Sequence, residues 1–184
     1  MIDLESYVKE YLPKIKFAGI ETNSDEETVL KALKGFPENM LGDFDEEGLM
    51  DFLLMCIQAE DSFMTDFEGL TSDTYLDKIK ELSKSTVTFE DYKYSIDPEV
   101  EESGQGEALV SFKFRGKPYE FRETVNYDWF DPRFMSFINS VLEENGVEER
   151  MIAYGGPNVC MLTFKKPEWT EKVKSVLHIE ADVV

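Results

Sequence analysis

The sequence predicts an α+β fold, with a helical N-terminal part over about residues 1–84 packed with an antiparallel β-sheet that carries two C-terminal helices over about 85–184. Three observations point there. Apolar residues recur at helical spacing before Lys84, alternate with period two from Val87, and return to helical spacing after Asp131 and again after Pro167. No internal repeat and no long linker interrupts the chain, so one continuous core is expected rather than two independent domains.

Leu4, Tyr7, Val8, Tyr11, Leu12 and Ile15 share one helical face, and Pro13 is placed to kink that helix or end it early. Ser24 followed by Asp25, Glu26 and Glu27 reads as a helix start: a hydroxyl caps free amides, acids complement the dipole, and Glu27 sits at the capping-box position. That helix carries Val29, Leu30 and Leu33 and stops at Gly35 before Pro37. The segment Glu46–Glu60 is apolar almost all round and predicts a buried central helix. Ser72 and Asp73 open another, running through Leu76, Ile79 and Leu82.

Val87, Phe89, Tyr92, Tyr94 and Ile96 carry the strand period. The acidic stretch Asp97–Gly106, with Pro98, Gly104 and Gly106, reads as a loop. Leu109–Phe114 and Tyr119–Val125 read as strands joined by a tight turn at Arg115–Pro118. Asp131-Pro132 begins a helix through Phe134, Ile138, Val141 and Leu142, closed by Asn145-Gly146. Arg150–Tyr154 and Val159–Phe164 predict a second hairpin around Gly155–Asn158, and a final helix from Pro167 carries Trp169, Val173, Val176 and Leu177.

The 184 residues are 42% hydrophobic and include 14 Phe, enough apolar surface to offset the ordering entropy of a folded core. Charge is the outlying property: 19 Lys+Arg against 39 Asp+Glu give a net −20 and a pI near 4.3. Nucleic acid is excluded as a direct ligand, because a polyanion gains affinity by releasing counterions to a basic stripe and this chain has none. A basic protein would instead be attracted and steered. The same acidity also serves solubility. No apolar run approaches the roughly 18 residues of a membrane span. Met1–Glu5 lacks a basic region, and Cys56 and Cys160 make no disulfide framework, so a reducing cytoplasm is the expected compartment.

The chain carries none of the common catalytic or metal-binding motifs. The single histidine, His178, would have to serve any His-dependent nucleophile, yet no Gly-x-Ser-x-Gly elbow exists, nor the paired thiolates and imidazoles of a zinc site. The glycines at 104, 106, 155 and 156 read as turns. Asp43–Gly48 imitates the start of a calcium loop, with Asp51 at its ninth position, but the twelfth is Leu54 where a bidentate carboxylate is required. The same residues read more simply as an acidic helix N-terminus with Asp43 or Asp45 as cap. Catalytic, cofactor and metal residues are therefore all assigned as none. Carboxylates are too numerous for a pair to be singled out, since separation in space decides their chemistry.

Acids cluster at Asp43–Glu47, Glu60–Glu68, Asp97–Glu107 and Glu143–Glu149. The second interleaves charge with Phe63, Met64 and Phe67, the mixture that suits a protein interface, or else a loop whose aromatics tuck into the core. The candidate partner-binding residues are Asp43, Asp45, Glu46 and Glu47, with Glu60, Asp61, Phe63, Asp66, Phe67 and Glu68.

From Tyr119 onward, Tyr119-Glu120-Phe121, Asp128-Trp129-Phe130, a helix Phe134–Gly146 with Asn139 and Leu142, Arg150 and a strand ending Leu162-Thr163-Phe164 follow in an order that resembles small immunity proteins of bacterial polymorphic-toxin and contact-dependent inhibition systems. The resemblance covers roughly the last 60 residues and carries over no functional residue by motif. It implies a cytoplasmic, non-enzymatic inhibitor that binds a cognate toxin, a partner that in such systems is often a basic nuclease. The expected function is thus an acidic protein-binding module that neutralises a basic toxin domain by direct contact. The alternatives are a regulatory, adaptor or nucleic-acid-mimic protein of a bacterial or phage system, and third an enzyme of unrecognised type.

Overall fold

The computed structural model describes residues 3–37, 46–156 and 159–184, with the side chains of Glu46 and Glu47 outside the described set. The fold is α+β. In chain order the described elements are α1 (Leu4–Ala18), α2 (Glu26–Leu33), α3 (Glu46–Cys56), β1 (Ser62–Thr65), α4 (Ser72–Leu82), β2 (Glu90–Ile96) and α5 (Pro98–Ser103). There follow β3 (Gln105–Phe114), β4 (Lys117–Asn126), α6 (Arg133–Glu144), β5 (Arg150–Gly155), β6 (Cys160–Lys165), α7 (Trp169–Leu177) and β7 (Glu180–Val183).

The chain divides into two compact units, residues 1–64 with 152–183, and residues 65–151 with 184, rather than at the expected boundary near residue 84. The expected single sheet is two sheets, one ordered β1-β6-β5-β7 and one ordered β2-β3-β4. Periodicity identifies a strand but not its pairing partner. The last hairpin and α7 accordingly belong with the N-terminal helices, not with β2–β4.

In the first unit, α1 runs unbroken through Pro13, because burial of Leu12, Ile15 and Ala18 outweighs the one backbone bond a proline removes. Asp3 caps it, accepting from the Glu5 N–H at 3.1 Å, and Gly19 closes it at φ 94°, a conformation open to glycine. At α2 the expected Ser24 cap is replaced. Asp25 accepts from the Thr28 N–H at 2.8 Å, while the Ser24 hydroxyl donates to the Ile57 carbonyl at 2.8 Å. Helix α3 is the buried centre, with Leu49, Met50, Leu53 and Leu54 all in the core with Ile57 just beyond it. Asp51 is buried among them and accepts from the Gly156 N–H at 2.7 Å, and a side chain at 156 would meet that carboxylate at 2.5 Å. Trp169 of α7 donates its indole N–H to the Ala18 carbonyl at 2.8 Å.

The second unit is built on the antiparallel meander β2–β3–β4. Between Phe114 and its partner Lys117, Arg115 and Gly116 both adopt positive φ (51° and 77°), the requirement of a two-residue type I′ turn. Phe112 and Phe121 pack with Phe134 and Phe137 of α6, and Tyr75 and Phe130 extend that aromatic core. Asn139 is buried but satisfied, donating to the Met151 carbonyl at 2.9 Å and accepting from its N–H at 2.8 Å. The expected loop at 97–106 contains α5 instead. Asp97 caps it through the Glu99 N–H at 2.9 Å, Pro98 opens it, and Gly104 ends it at φ 69°. The residues read as loop formers are the punctuation of a short helix.

Candidate functional site

The predicted interface residues fall in both units and partly outside the described residues. Asp43 and Asp45 lie outside the described residues, as do the side chains of Glu46 and Glu47 at the head of α3. Glu60, Asp61 and Phe63 belong to the first unit, and Asp66, Phe67 and Glu68 to the second. Glu60 accepts from the Asn23 amide, and Asp61 accepts from the Glu21 N–H at 3.0 Å with Lys165 Nζ 2.5 Å from its other oxygen. Both acids are thus engaged within their own unit. Phe63 is half-buried in β1. Phe67 stacks on Phe130, ring centroids 6.4 Å apart, and its carbonyl accepts from the Phe130 N–H at 2.9 Å. Asp66 and Glu68 stand exposed, the Glu68 N–H donating to Asp66 at 3.2 Å. His178 is an exposed residue at the C-terminal end of α7 with φ 56°.

Burial raises both thiols, Cys56 to about 11, so neither is poised as a thiolate. Among the described residues no group of three His, Cys, Asp or Glu is arranged to hold a metal ion, and no helix is long and apolar enough to cross a membrane.

A cavity of about 350 Å³ in the second unit draws its walls from four places in the chain. Gly69–Asp73 approach the N-terminus of α4, β2 contributes Tyr92 and Tyr94, β4 contributes Glu123–Val125, and the turn after β4 contributes Tyr127, Asp128 and Trp129. Tyr92 and Tyr94 are two apart on a strand and so share a face. The turn is held on both sides. Gly69 and Phe130 N–H groups donate to the Asp128 and Phe67 carbonyls at 2.8 and 2.9 Å, and the Tyr127 N–H donates to the Gly104 carbonyl at 2.6 Å. Gly104 is needed there: a Cβ on it would meet the Tyr127 ring at 2.9 Å. Tyr127 and Trp129 nevertheless remain 66% and 51% exposed.

Glu123 is the buried ionisable group of this cavity, only 8% exposed. The Ser72 hydroxyl donates to its Oε2 at 3.1 Å and lies 2.9 Å from the Tyr92 hydroxyl. Burial pushes the Glu123 carboxyl above its ordinary value, the Ser72 hydrogen bond opposes this, and the charges of Asp131 and Asp73 add to the rise. Burial likewise raises the Tyr92 and Tyr94 hydroxyls, which stay neutral at physiological pH. Three carboxylates (Asp73, Glu123, Asp128) and four aromatic side chains line the cavity, with no Lys, Arg or His among the lining residues.

A raised carboxyl favours the protonated native state, so the contribution of Glu123 to stability is greatest below its unfolded value and falls as pH rises through the folded one. Glu123→Gln keeps an acceptor for Ser72 and removes the buried charge. Its melting temperature at pH 7 is expected to exceed wild type by about 2 °C, with the difference vanishing near pH 4. A lower melting temperature at pH 7 would contradict the electrostatic assignment.

The sequence hid this site. Glu123 is one carboxylate among many, Tyr92 and Tyr94 carry an ordinary strand period, and nothing local marks Trp129 as exposed. Compared with protein-family models, curated proteins and solved structures, the chain gives no match.

Proposed function

We propose that the chain is an acidic, non-enzymatic protein-binding module, an immunity-type inhibitor that acts in the cytoplasm by binding a basic toxin domain. The observation that carries the reading is the acidic, aromatic cavity: exposed Tyr127 and Trp129 beside three uncompensated carboxylates, on a protein of net charge −20. Exposed aromatics supply binding area at low entropic cost, and the surrounding field favours and accelerates encounter with a cationic surface. The order of features from Tyr119 to Phe164 supports the inhibitor form of this reading.

Coexpression with a basic toxin domain encoded beside the gene should give a stoichiometric complex and abolish toxicity. The association rate should fall markedly from low to physiological salt, and charge removal at Asp66 or Glu68 should slow association more than it speeds dissociation if they lie at the rim. Absence of a complex with any such basic domain would overturn the reading. A rate indifferent to salt would assign the acidity to solubility alone.

One observation supports a second reading, an enzyme: Glu123, raised within a cavity, has the character of a proton donor. Against it, the Ser72 hydroxyl is shared between that carboxyl and Tyr92, and the lining holds no His or Lys to act as the base of a nucleophilic hydroxyl.

A further inference from the structure

We propose that the cavity of the second unit is the seat of one arginine side chain of the basic partner, its guanidinium entering beside Tyr92, Tyr94 and Trp129 and pairing with Glu123. The proposal rests on the protein-binding reading and names the chemistry that reading requires at this place.

Glu123 is more than nine-tenths buried, and among the described residues Ser72 is its only hydrogen-bond donor; no Lys or Arg pairs with it. A carboxylate so placed costs stability unless a cation arrives to compensate it. Its counterpart Asp131 shows what the fold does when it supplies the compensation itself: that buried carboxylate is paired with the Arg133 guanidinium through Nε at 3.0 Å and Nη2 at 2.5 Å. The cavity offers Glu123 no such partner and adds the negative charges of Asp73 and Asp128 at its wall. The aromatic lining selects the kind of cation. A guanidinium is planar, weakly hydrated and able to lie on tyrosine and tryptophan faces while donating to a carboxylate, whereas an ammonium gives up strong hydration to enter. A volume of about 350 Å³ accommodates the head group with its methylene stem.

The test uses the full chain labelled with ¹⁵N and follows the indole N–H resonance of Trp129, assigned by Trp129→Phe. N-acetyl-argininamide should move this resonance saturably, with a dissociation constant of about 1–10 mM, as expected for one side chain without the rest of an interface. The neutral citrulline analogue should not move it, and N-acetyl-lysinamide should bind at least about threefold more weakly. Glu123→Gln should weaken the argininamide by about tenfold or more. Tyr94→Leu, at a position already 44% exposed and therefore tolerant, should weaken it severalfold while leaving the fold intact. Equal shifts with the citrulline analogue, equal affinity for lysinamide, or unchanged affinity in Glu123→Gln would each overturn the arginine seat. Such a failure beside an intact complex with the basic partner removes the seat and leaves the protein-binding reading. Absence of the complex beside saturable argininamide binding does the reverse.

Discussion

Leu53→Asp is expected to abolish folding of the protein. Leu53 is fully buried in α3 and belongs to the core shared with Val8, Ile15, Leu33 and Ile152. An aspartate there loses the leucine's packing and places a carboxylate where no cation can reach it without opening the core. Leucine truncation alone costs about 2–5 kcal/mol, and an unpaired buried polar group adds several more, against a total stability of about 5–15 kcal/mol. The variant should be recovered from the insoluble fraction or, if soluble, show no cooperative thermal transition by circular dichroism. Leu53→Ala should fold with a lowered melting temperature. A soluble Leu53→Asp protein melting with wild type would show that α3 is not the centre of its unit.

Asp131→Ala should destabilise the protein by about 2–4 kcal/mol at neutral pH, and lower its melting temperature by roughly 8 °C. The Asp131 carboxylate is buried and accepts from the Thr124 N–H at 2.8 Å, the Arg133 N–H at 3.0 Å and the Arg133 guanidinium. Burial opposes its ionisation, but these donors outweigh that cost and hold the carboxyl below its usual value. A depressed carboxyl stabilises the native state above its unfolded value, near 3.8, and that contribution is lost as pH falls through the lower, folded value. Wild type should therefore shed stability below about pH 4, and the alanine variant should lack this component of the acid transition. Asp131→Asn, which keeps two acceptor lone pairs but not the charge, should recover part of the loss. Because the same carboxylate holds the Thr124 amide, and Thr124 and Val125 line the cavity, Asp131→Ala should also weaken argininamide binding. Stability equal to wild type at neutral pH would mean that the Arg133 pair contributes nothing net.

Local chemistry was legible wherever a residue's role depends on its immediate neighbours. The helical stripe from Leu4 to Ile15, the all-round apolar α3, a tight turn beginning at Arg115 and the glycine stop at Gly146 after α6 follow from sequence spacing and from what each backbone conformation permits. Where several local solutions compete, spacing did not choose among them. Ser24 and Asp25 are both good caps; Asp25 took the amide because the Ser24 hydroxyl reaches Ile57, a contact 33 residues away. Pro98 and Gly104 mark a loop and a short helix equally well, and α5 formed.

The sequence by itself carried the α+β class, the described helices other than α5, the strands β2 to β6, the buried character of α3 and the strong negative charge, because each is a sum over neighbouring residues; α5, β1 and β7 were not legible in it. Tertiary structure alone decided that the chain after Ile152 builds its strands and α7 with the N-terminal helices, since strand pairing is a choice between distant partners of similar period. It also decided which carboxylates matter. Asp61 and Asp131 found basic partners within their own units and became structural, whereas Glu123, dozens of residues from both β2 and α4 in sequence, was buried beside Ser72 and Tyr92 with no Lys or Arg paired to it among the described residues. Charge is written in the sequence, but whether a charge is compensated depends on distances of a few ångströms that only the folded chain establishes.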